Sequence, residues 1–380
     1  MLYIRLLRET LFPGAPTGPG ILRRRLLLLL FTPLFLLIQS AHWGFFLLDD
    51  LLFPGYRKIR IREPLFVVGL PRSGTTFLHR VLARDASRFT TTRLWELLLA
   101  PSITQRKILL GLGALDRALG RPVGRLLAWT DSRGFRWMEA IHQVSLTDPE
   151  EDYFLLLPVF ACFLLVVPYP YHPAIWELAR FDELPEKKRE AILGFYRRAL
   201  QRHLYVTGPE KQILSKNPAF TPFLRSLLES FPDARVLCSV RDPEKAVPSV
   251  LSSLRPGAAF LGYEMSEPRI RDAFLDMLVH FSEHAMDVLG GEAEDRYAFV
   301  PMAVLKADVR RFVLEEVYGR FGWQADAAFR ASLEEDRARG ASYTSRHRYS
   351  LEEFGLEAGA IRTRFARLSQ AFGFGKEAGG

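Results

Sequence analysis

The sequence of 380 residues predicts an α/β protein built on a parallel sheet with helices on both faces. Short, continuously apolar runs suited to buried strands occur at about 65–69, 212–215, 235–240 and 297–304. Segments with helical spacing separate these runs, which is the alternation typical of parallel sheets. The segment 97–210 is expected to be a long, mostly helical insertion. Because ligands of such folds bind at the carboxyl ends of the strands, we look for function there.

Residues 1–60 form a first segment with a different composition. Three arginines, Arg23–Arg25, precede the strongest apolar run, Leu26–Ile38, and its extension to Leu48 gives a weak 23-residue candidate for a membrane span. Four further cations between residues 57 and 62 follow the run, so charge gives a span no orientation. An interfacial anchor at a membrane surface is the favoured interpretation; helices packed on the protein's own core and a true span remain alternatives.

The overall composition excludes several classes of protein. Apolar residues make up 48% and charged residues 25%, as in ordinary globular proteins. The net charge of +8 comes from scattered residues, with 42 arginines and nine lysines, so a nucleic-acid partner is not expected. This skew suggests a GC-rich, bacterial genome. Cys162 and Cys238 lie in apolar runs, which excludes a disulfide scaffold and favours a reducing, cytoplasmic location.

A phosphate-type anion site is predicted directly after the first strand. The strand Pro64–Gly69 runs into the sequence G-L-P-R-S-G-T-T, and the helical pattern continues from Phe77 to Ala83. A glycine turn between strand and helix directs backbone N–H groups and the positive helix end at one point. The side chains that add donors there are Arg72, Ser73, Thr75 and Thr76, around Gly74. The frame is that of a nucleotide P-loop, except that Thr75 stands where a Walker loop has lysine.

A second anion-binding pattern follows the strand at 235–240. This strand ends at Arg241, Pro243 suits a helix start, and Ser249 lies eight residues beyond Arg241. An arginine at a strand end and a hydroxyl on the next helix can hold one phosphate from two sides. Taken alone, the pattern fits equally well a surface ion pair of Arg241 with Asp242 or Glu244.

Together these motifs resemble those of the PAPS-dependent sulfotransferase family, in particular its bacterial branch, whose motifs are similar to those of tyrosylprotein sulfotransferases. PAPS is 3′-phosphoadenosine-5′-phosphosulfate. Pro71–Thr76 matches the family core P-R-[ST]-G-T-[TS], so the resemblance implies that Arg72, Ser73, Gly74, Thr75 and Thr76 bind the 5′-phosphosulfate. Arg241 and Ser249 match the residues that bind the 3′-phosphate. Arg346 and Arg348, in a segment recurrent near the C-terminus of the bacterial branch, are assigned to the same ligand.

The resemblance covers about residues 64–365 and implies a sulfotransferase domain over 61–372, with a flexible tail at 373–380. The chain departs from the family at Met302–Leu305, where Y-E-x-L is common. Any role of that tyrosine or acid is therefore not expected here.

Catalysis of sulfuryl transfer rests on positioning and on cationic donors, and no metal is expected. Lys216, in S-K-N-P, matches the family lysine that reaches the leaving bridge oxygen. Glu96 is the expected general base, because the family places a catalytic glutamate about this far beyond the loop arginine. Alternatives for the base are His142, Glu150, Glu151 and Asp152, whereas His79 is expected to be a packing or solvent residue.

The predicted function is sulfuryl transfer from PAPS to a hydroxyl acceptor. The alternatives are a P-loop kinase or NTPase, which would need the missing Walker lysine, and a non-catalytic, membrane-docked nucleotide-binding protein. The apolar run Leu155–Val167 is expected to be buried, but with residues 1–60 it would also suit a lipid or other small-molecule hydroxyl with an apolar body. Because bacterial PAPS is made in the cytosol, the N-terminal segment is expected on the inner membrane surface or folded on the enzyme.

Overall fold

The computed structural model describes Leu6 and residues 20–122, 146–340 and 350–375. A five-stranded sheet with all pairs parallel runs through its centre, in the order β2-β3-β1-β4-β5. This confirms the predicted fold class. The strands are β1 Leu65–Gly69, β2 Phe89–Thr90, β3 Gln212–Lys216, β4 Arg235–Val240 and β5 Tyr297–Pro301.

Helices surround the sheet. The α-helices are α1 Ile21–Leu52, α2 Thr75–Leu82, α3 Leu94–Leu98, α4 Ile103–Ala118, α5 Pro173–Trp176, α6 Glu186–Thr207, α7 Leu224–Ser230, α8 Pro243–Phe260, α9 Pro268–Leu289, α10 Met302–Ala307, α11 Val309–Arg311, α12 Ala327–Gly340, α13 Ala358–Arg364 and α14 Ala366–Phe372. A π-helix covers Phe312–Gly319. The 3-10 helices are Pro54–Lys58, Asp152–Val159, Phe163–Val166, Glu177–Glu183, Pro218–Phe223, Glu294–Arg296 and Glu352–Phe354.

Two hydrophobic cores lie on opposite faces of the sheet. In β1, Phe66 and Val68 belong to the larger core, whereas Leu65 and Val67 belong to the smaller one. Successive side chains of a strand point to opposite faces, so a strand covered on both faces is apolar throughout. This explains why the strands have continuous rather than alternating apolar patterns.

The structure corrects three details of the predicted elements. The fourth predicted strand ends at Pro301, and Met302–Ala307 is helix α10. The apolar residues between 218 and 230 recur at near-helical spacing, which predicts an α-helix over this range, but the segment begins as the 3-10 helix Pro218–Phe223, which contains Pro222. Proline lacks an N–H, so it cannot form the α-helical hydrogen bond at that position. Strand β2 was not predicted, because two residues are too few to show a periodicity.

The N-terminal segment folds as one long helix. Helix α1 has 32 residues and continues through Pro33. Within the described part of the chain it is the one helix long and apolar enough to cross a membrane, judged by length and composition. The run Leu155–Val167 is mainly buried, as expected. In the predicted tail, the Phe374 N–H donates to the Ser369 carbonyl at 2.9 Å, and residues 376–380 lie outside the described ranges.

Candidate active site

The predicted anion-binding residues lie at the carboxyl ends of three adjacent strands. Lys216, the last residue of β3, pairs with Val67 of β1, and Gly69, the last residue of β1, pairs with Ser239 of β4. The next two strands in the chain, β2 and β3, lie on one side of β1, and the last two, β4 and β5, lie on the other. The strand order therefore reverses at β1. Ligands of open α/β sheets bind at such a switch point.

The loop after β1 needs glycine at two positions. Gly69 has φ of 116°, and a Cβ there would lie 2.1 Å from the Ser239 carbonyl oxygen. Gly74 has φ of 91° and is the N-cap of helix α2, which starts at Thr75. The Ser73 hydroxyl donates to the Leu70 carbonyl and closes the loop. The positive end of helix α2 therefore follows the loop directly, as anion binding requires.

Arg72 has a left-handed backbone, with φ of 65°, although it is not glycine. Its Nε donates to the Ser249 hydroxyl at 3.2 Å, and its carbonyl oxygen accepts a hydrogen bond from Arg241 Nη1 at 2.7 Å. The structure thus brings Arg72, assigned to the 5′-phosphosulfate, together with Arg241 and Ser249, which lie 169 and 177 residues further along the chain and were assigned to the 3′-phosphate. A left-handed arginine held in this way is a form of backbone strain found mainly at functional sites.

Lys216 links this loop to an acidic segment. Its side chain is nearly fully buried, with 1% of the residue exposed. The Nζ atom lies 2.7 Å from Glu151 Oε1 and 3.6 Å from Glu150 Oε1, and it donates to the Thr76 hydroxyl at 3.4 Å. A buried ammonium group therefore sits between the first turn of helix α2 and two carboxylates.

Asp152 holds the acidic segment against β3. Its carboxylate accepts hydrogen bonds from the Tyr196 hydroxyl and, at 3.0 Å, from the Ser215 hydroxyl. Burial raises the pKa of Asp152 to about 6, against the lowering effect of these two hydrogen bonds. Because Ser215 and Lys216 are neighbours on β3, this contact places Glu151 opposite Lys216. Asp152 thus orients the pair without contacting it.

Glu96 lies in a separate polar network. One carboxylate oxygen accepts from the Arg93 N–H at 2.8 Å, and the other lies 3.6 Å from Arg106 Nη1. Arg106 Nη1 also donates to His203 Nδ1 at 2.7 Å, and burial lowers the pKa of His203 well below its usual value. This network connects helices α3, α4 and α6. Glu96 therefore lies near the Arg106 guanidinium on the helical side, while Glu151 contacts Lys216.

The other predicted residues divide into two groups. His79 is fully buried, its Nε2 lies 2.7 Å from the Thr91 hydroxyl, and burial lowers its pKa well below the usual value. Thr75 is also buried, at the start of helix α2. His142, Arg346 and Arg348 lie outside the described residues.

Lys306 is a cation near the site that the sequence did not point out. Burial lowers the pKa of Lys306, and the positive charge of Arg241 lowers it further. The residue lies on helix α10, whose Met302 side chain packs near Gly74. The signal available in the sequence was its position, one residue after the segment Met302–Leu305 that departs from the family pattern.

The strand order and the contacts of Arg72 with Arg241 and Ser249 define an α/β protein with a P-loop-like loop at the carboxyl edge of its parallel sheet. The sulfotransferase family model matches residues 64–290, which is more than half of the chain, and so the chain belongs to the sulfotransferase family. A comparison with curated proteins gave no match.

Two solved mycobacterial structures have the same fold. Sulfotransferase STF1 from Mycobacterium tuberculosis H37Rv superposes with a TM-score of 0.70 at 21% identity, covering 96% of this chain and 91% of that one. Sulfotransferase STF9 from Mycobacterium avium gives a TM-score of 0.71 at 19% identity, covering 97% and 90% of the two chains.

Proposed function

We propose that this protein transfers the sulfuryl group of PAPS to a hydroxyl acceptor. The observation that carries the proposal is the position of Lys216. This buried ammonium lies between Thr76 of the anion loop and the carboxylate of Glu151. An in-line transfer needs a cation for the leaving oxygen and a base for the acceptor proton, and Lys216 and Glu151 are groups of these two kinds.

The donor set suits a ligand with two separate anionic groups. The loop amides, the Thr75 and Thr76 hydroxyls and Lys216 would hold the 5′-phosphosulfate. Arg241 and Ser249 would hold the 3′-phosphate, with Arg72 between the two groups because it already contacts both residues. Arginine and hydroxyl donors form strong charge-assisted hydrogen bonds to phosphate oxygens, so these residues fit the ligand.

PAPS supplies the sulfuryl group together with a phosphate leaving group. In the transfer, a bond forms between the acceptor oxygen and sulfur while the bond from sulfur to the bridging oxygen breaks. Lys216 neutralises the negative charge that develops on the bridging oxygen, and Arg72 and the loop amides stabilise the charge on the peripheral oxygens. Such preorganised donors commonly provide the largest share of catalysis in group transfer.

Glu151 is a better candidate than Glu96 for the base that takes the acceptor proton. Its carboxylate touches Lys216, and 24% of its side chain is exposed, so an acceptor can reach it. Both carboxylate oxygens of Glu96 already face Arg93 and Arg106, and its side chain is 9% exposed. Glu96 then serves mainly to stabilise the helical side of the site.

For the acceptor we favour a lipid or another small molecule whose hydroxyl is attached to an apolar body. The apolar run that follows Glu151 supports this choice, because its described residues provide buried and half-buried leucine, valine and phenylalanine side chains beside the site. The reaction would take place on the cytoplasmic side, where the donor is made.

The decisive experiment uses the full chain with radiolabelled PAPS and two sets of acceptors, a total lipid extract and a mixture of soluble hydroxyl compounds. Label transferred to either set, without added Mg²⁺ and in the presence of a chelator, supports sulfuryl transfer. Binding of 3′-phosphoadenosine 5′-phosphate, the desulfated product, is measured by calorimetry in parallel. No product binding and no transfer to either set would overturn the proposal, and transfer to soluble acceptors alone would overturn the apolar acceptor.

A further inference from the structure

Helix α1 has the reverse of the usual amphipathic pattern. Its buried side chains at residues 39, 42, 46 and 49, one face of a helix, are Gln39, His42, Phe46 and Asp49. Its exposed side chains include Leu26, Leu30, Leu34 and Leu37, each at least 55% exposed. A helix of a soluble protein normally turns its apolar stripe to the core and its polar face to water. Here three of the four buried residues on that face are polar.

Helix α4 extends the same apolar surface. Ile108, Leu112, Leu115 and Leu119 follow one another at helical spacing and are between 47% and 66% exposed. Leu98 and Leu99, on and just after α3, are exposed as well. We call the exposed apolar side chains of α1 and α4 with Leu98 and Leu99 the leucine face. Of the 27 large exposed apolar side chains in the described residues, 13 lie on α1 alone, so this is not the scattered exposure of an ordinary surface.

Cations surround the leucine face. Arg23 lies at the start of α1, and Lys107 and Arg117 lie on α4, all three exposed. Beside the C-terminal half of α1 opens a cavity of about 470 Å³, lined by the apolar side chains of Trp43, Phe46, Leu47 and Phe195, by Arg57, Arg198 and Arg202, and by Asp50. Arg57 and Arg202 form ion pairs with Asp50 there, and Arg198 is an exposed cation of this lining. An apolar surface with a basic border is complementary to a bilayer that carries anionic headgroups.

Helix α1 is fixed to the folded body near both ends. Near its start, the Arg23 guanidinium lies 5.7 Å from the centre of the Phe260 ring, and that of Arg24 lies 5.2 Å from the Tyr171 ring. Near its end, Asp49 forms a buried ion pair with Arg202 at 3.1 Å. A helix attached at both ends lies along the protein and cannot cross a bilayer unless the body enters it.

We infer that the leucine face docks the protein onto the surface of an anionic phospholipid bilayer, with α1 and α4 lying in the plane of the interface. A second copy of the chain is a poorer occupant, because an isologous pair would bring the two basic borders together. Lipid phosphates neutralise those cations instead. Trp43, 43% exposed and donating its Nε1 hydrogen to the Pro158 carbonyl at 3.1 Å, suits the interfacial layer.

Docking in this orientation brings the bilayer near the candidate site. Trp43 contacts Pro158, and the 3-10 helix Asp152–Val159 leads from there directly back to Glu151. Seven residues of 3-10 helix span about 14 Å. A hydroxyl on a lipid or other amphipathic molecule therefore has a short path from the interface to the acid beside Lys216. The docking itself does not depend on the proposed reaction.

The test is co-sedimentation of the full chain with vesicles. Vesicles of equal parts phosphatidylcholine and phosphatidylglycerol should bind the protein, and pure phosphatidylcholine vesicles should bind it more weakly. The triple variant L112Q/L115Q/L119Q should weaken binding by at least about tenfold, because three half-exposed leucines no longer enter the interface. Thermal unfolding of the same variant shows whether the fold is retained.

A second pair of variants tests whether the cations of the leucine face contribute to vesicle binding. The variant K107Q/R117Q should weaken binding to the anionic vesicles by about twenty- to thirtyfold, at about 1 kcal/mol per cation. The matched control R311Q/R330Q removes two exposed arginines from the elements that cover the opposite face of the sheet, and binding should stay within about twofold of the wild type.

Three results would overturn the inference. The first is equal recovery of wild type and L112Q/L115Q/L119Q in the soluble fraction. The second is a stable dimer by sedimentation equilibrium that does not bind vesicles, which assigns the leucine face to a second copy. The third is retention in membranes of expressing cells after alkaline carbonate extraction, which indicates a span. Because no arm measures transfer, failure here leaves the sulfuryl-transfer test unaffected.

Discussion

Lys216 Nζ and Glu151 Oε1 lie 2.7 Å apart at the carboxyl end of β3, and the lysine side chain is 2% exposed. A buried ion pair of this kind contributes little to stability, because desolvation offsets most of the attraction. Because the pair lies next to the anion loop, we expect its role to be in ligand binding and not in stability. When an anionic ligand enters, Lys216 has a second anion to contact, and the carboxylate of Glu151 can turn to another proton donor.

Replacing Lys216 by methionine should reduce kcat by about a hundredfold or more and weaken binding of the desulfated product by less than about tenfold. The reason is that the ammonium acts on charge that develops only in the transition state. Single-turnover rates and calorimetry measure the two effects separately. An equal loss in both would make Lys216 a binding residue only.

Glu151→Gln and Glu96→Gln are predicted to have different effects. The Glu151→Gln enzyme should lose about a hundredfold to ten-thousandfold in kcat, the usual contribution of a general base. The Glu96→Gln enzyme should keep turnover within a few-fold and should be less stable, because Arg106 loses its charged partner. The reverse outcome would return the base to Glu96.

Arg241→Ala should weaken the binding of 3′-phosphoadenosine 5′-phosphate by about ten- to a hundredfold, since a charge-assisted hydrogen bond contributes about 1.5–3 kcal/mol. A nucleotide without the 3′-phosphate should be affected much less. Arg235→Ala provides the control, because Arg235 lies at the opposite end of the same strand. Titration calorimetry with both ligands decides the matter, and equal weakening of the two would remove Arg241 from the 3′-phosphate.

The pKa of Asp152, raised from its ordinary value of 3.8 to about 6 by burial, predicts a pH dependence of stability. A folded-state pKa above the unfolded one gives stability that is complete below about pH 4 and is lost as the pH rises through about 6. The shift corresponds to about 3 kcal/mol of unfolding free energy. In Asp152→Asn this decline between pH 4 and pH 6 should disappear. Denaturant unfolding across this pH range measures the free energy of unfolding of both proteins. Parallel curves of this free energy against pH for the wild type and Asp152→Asn would contradict the prediction.

Asp49→Ala should lower the free energy of unfolding by about 3–5 kcal/mol, because it leaves Arg202 buried without this partner. Asp49 also accepts hydrogen bonds from the Ile103 and Thr104 N–H groups at the start of α4. Asp50→Ala is the control at the neighbouring residue. The side chain of Asp50 is 31% exposed, so this variant should lower the free energy of unfolding by less. Urea unfolding of both variants would show whether α1 is a part of the fold; equal, small effects would make it a separable segment.

The sequence carried enough information for the parallel sheet and the anion loop, since both depend on local patterns. Buried strands such as Leu65–Gly69 are continuously apolar, and glycine spacing determines the turn before α2. The contact of Arg72 with Ser249 was also within reach, because a strand end and the following helix place the two motifs at one edge of the sheet.

Other features depend on packing that no local pattern records. Glu151 and Glu96 are both acids near apolar residues, and only the contacts of Asp152 with Tyr196 and Ser215 place one of them against Lys216. The leucine run of α1 likewise does not show which face of the helix packs on the rest of the protein. Buried Asp49 and His42 determine this, by pairing with residues on α6 and α4.

The pairing of Val67 with Lys216 joins residues 149 positions apart, and that of Val67 with Leu237 joins residues 170 positions apart. Contacts at such separations form slowly, because the entropy of closing a long loop is lost before the contacts contribute any favourable free energy. The anion loop, the lysine and the second arginine therefore come together only once the three central strands are aligned. During refolding, ligand binding should be recovered late, after the helical signal has already returned.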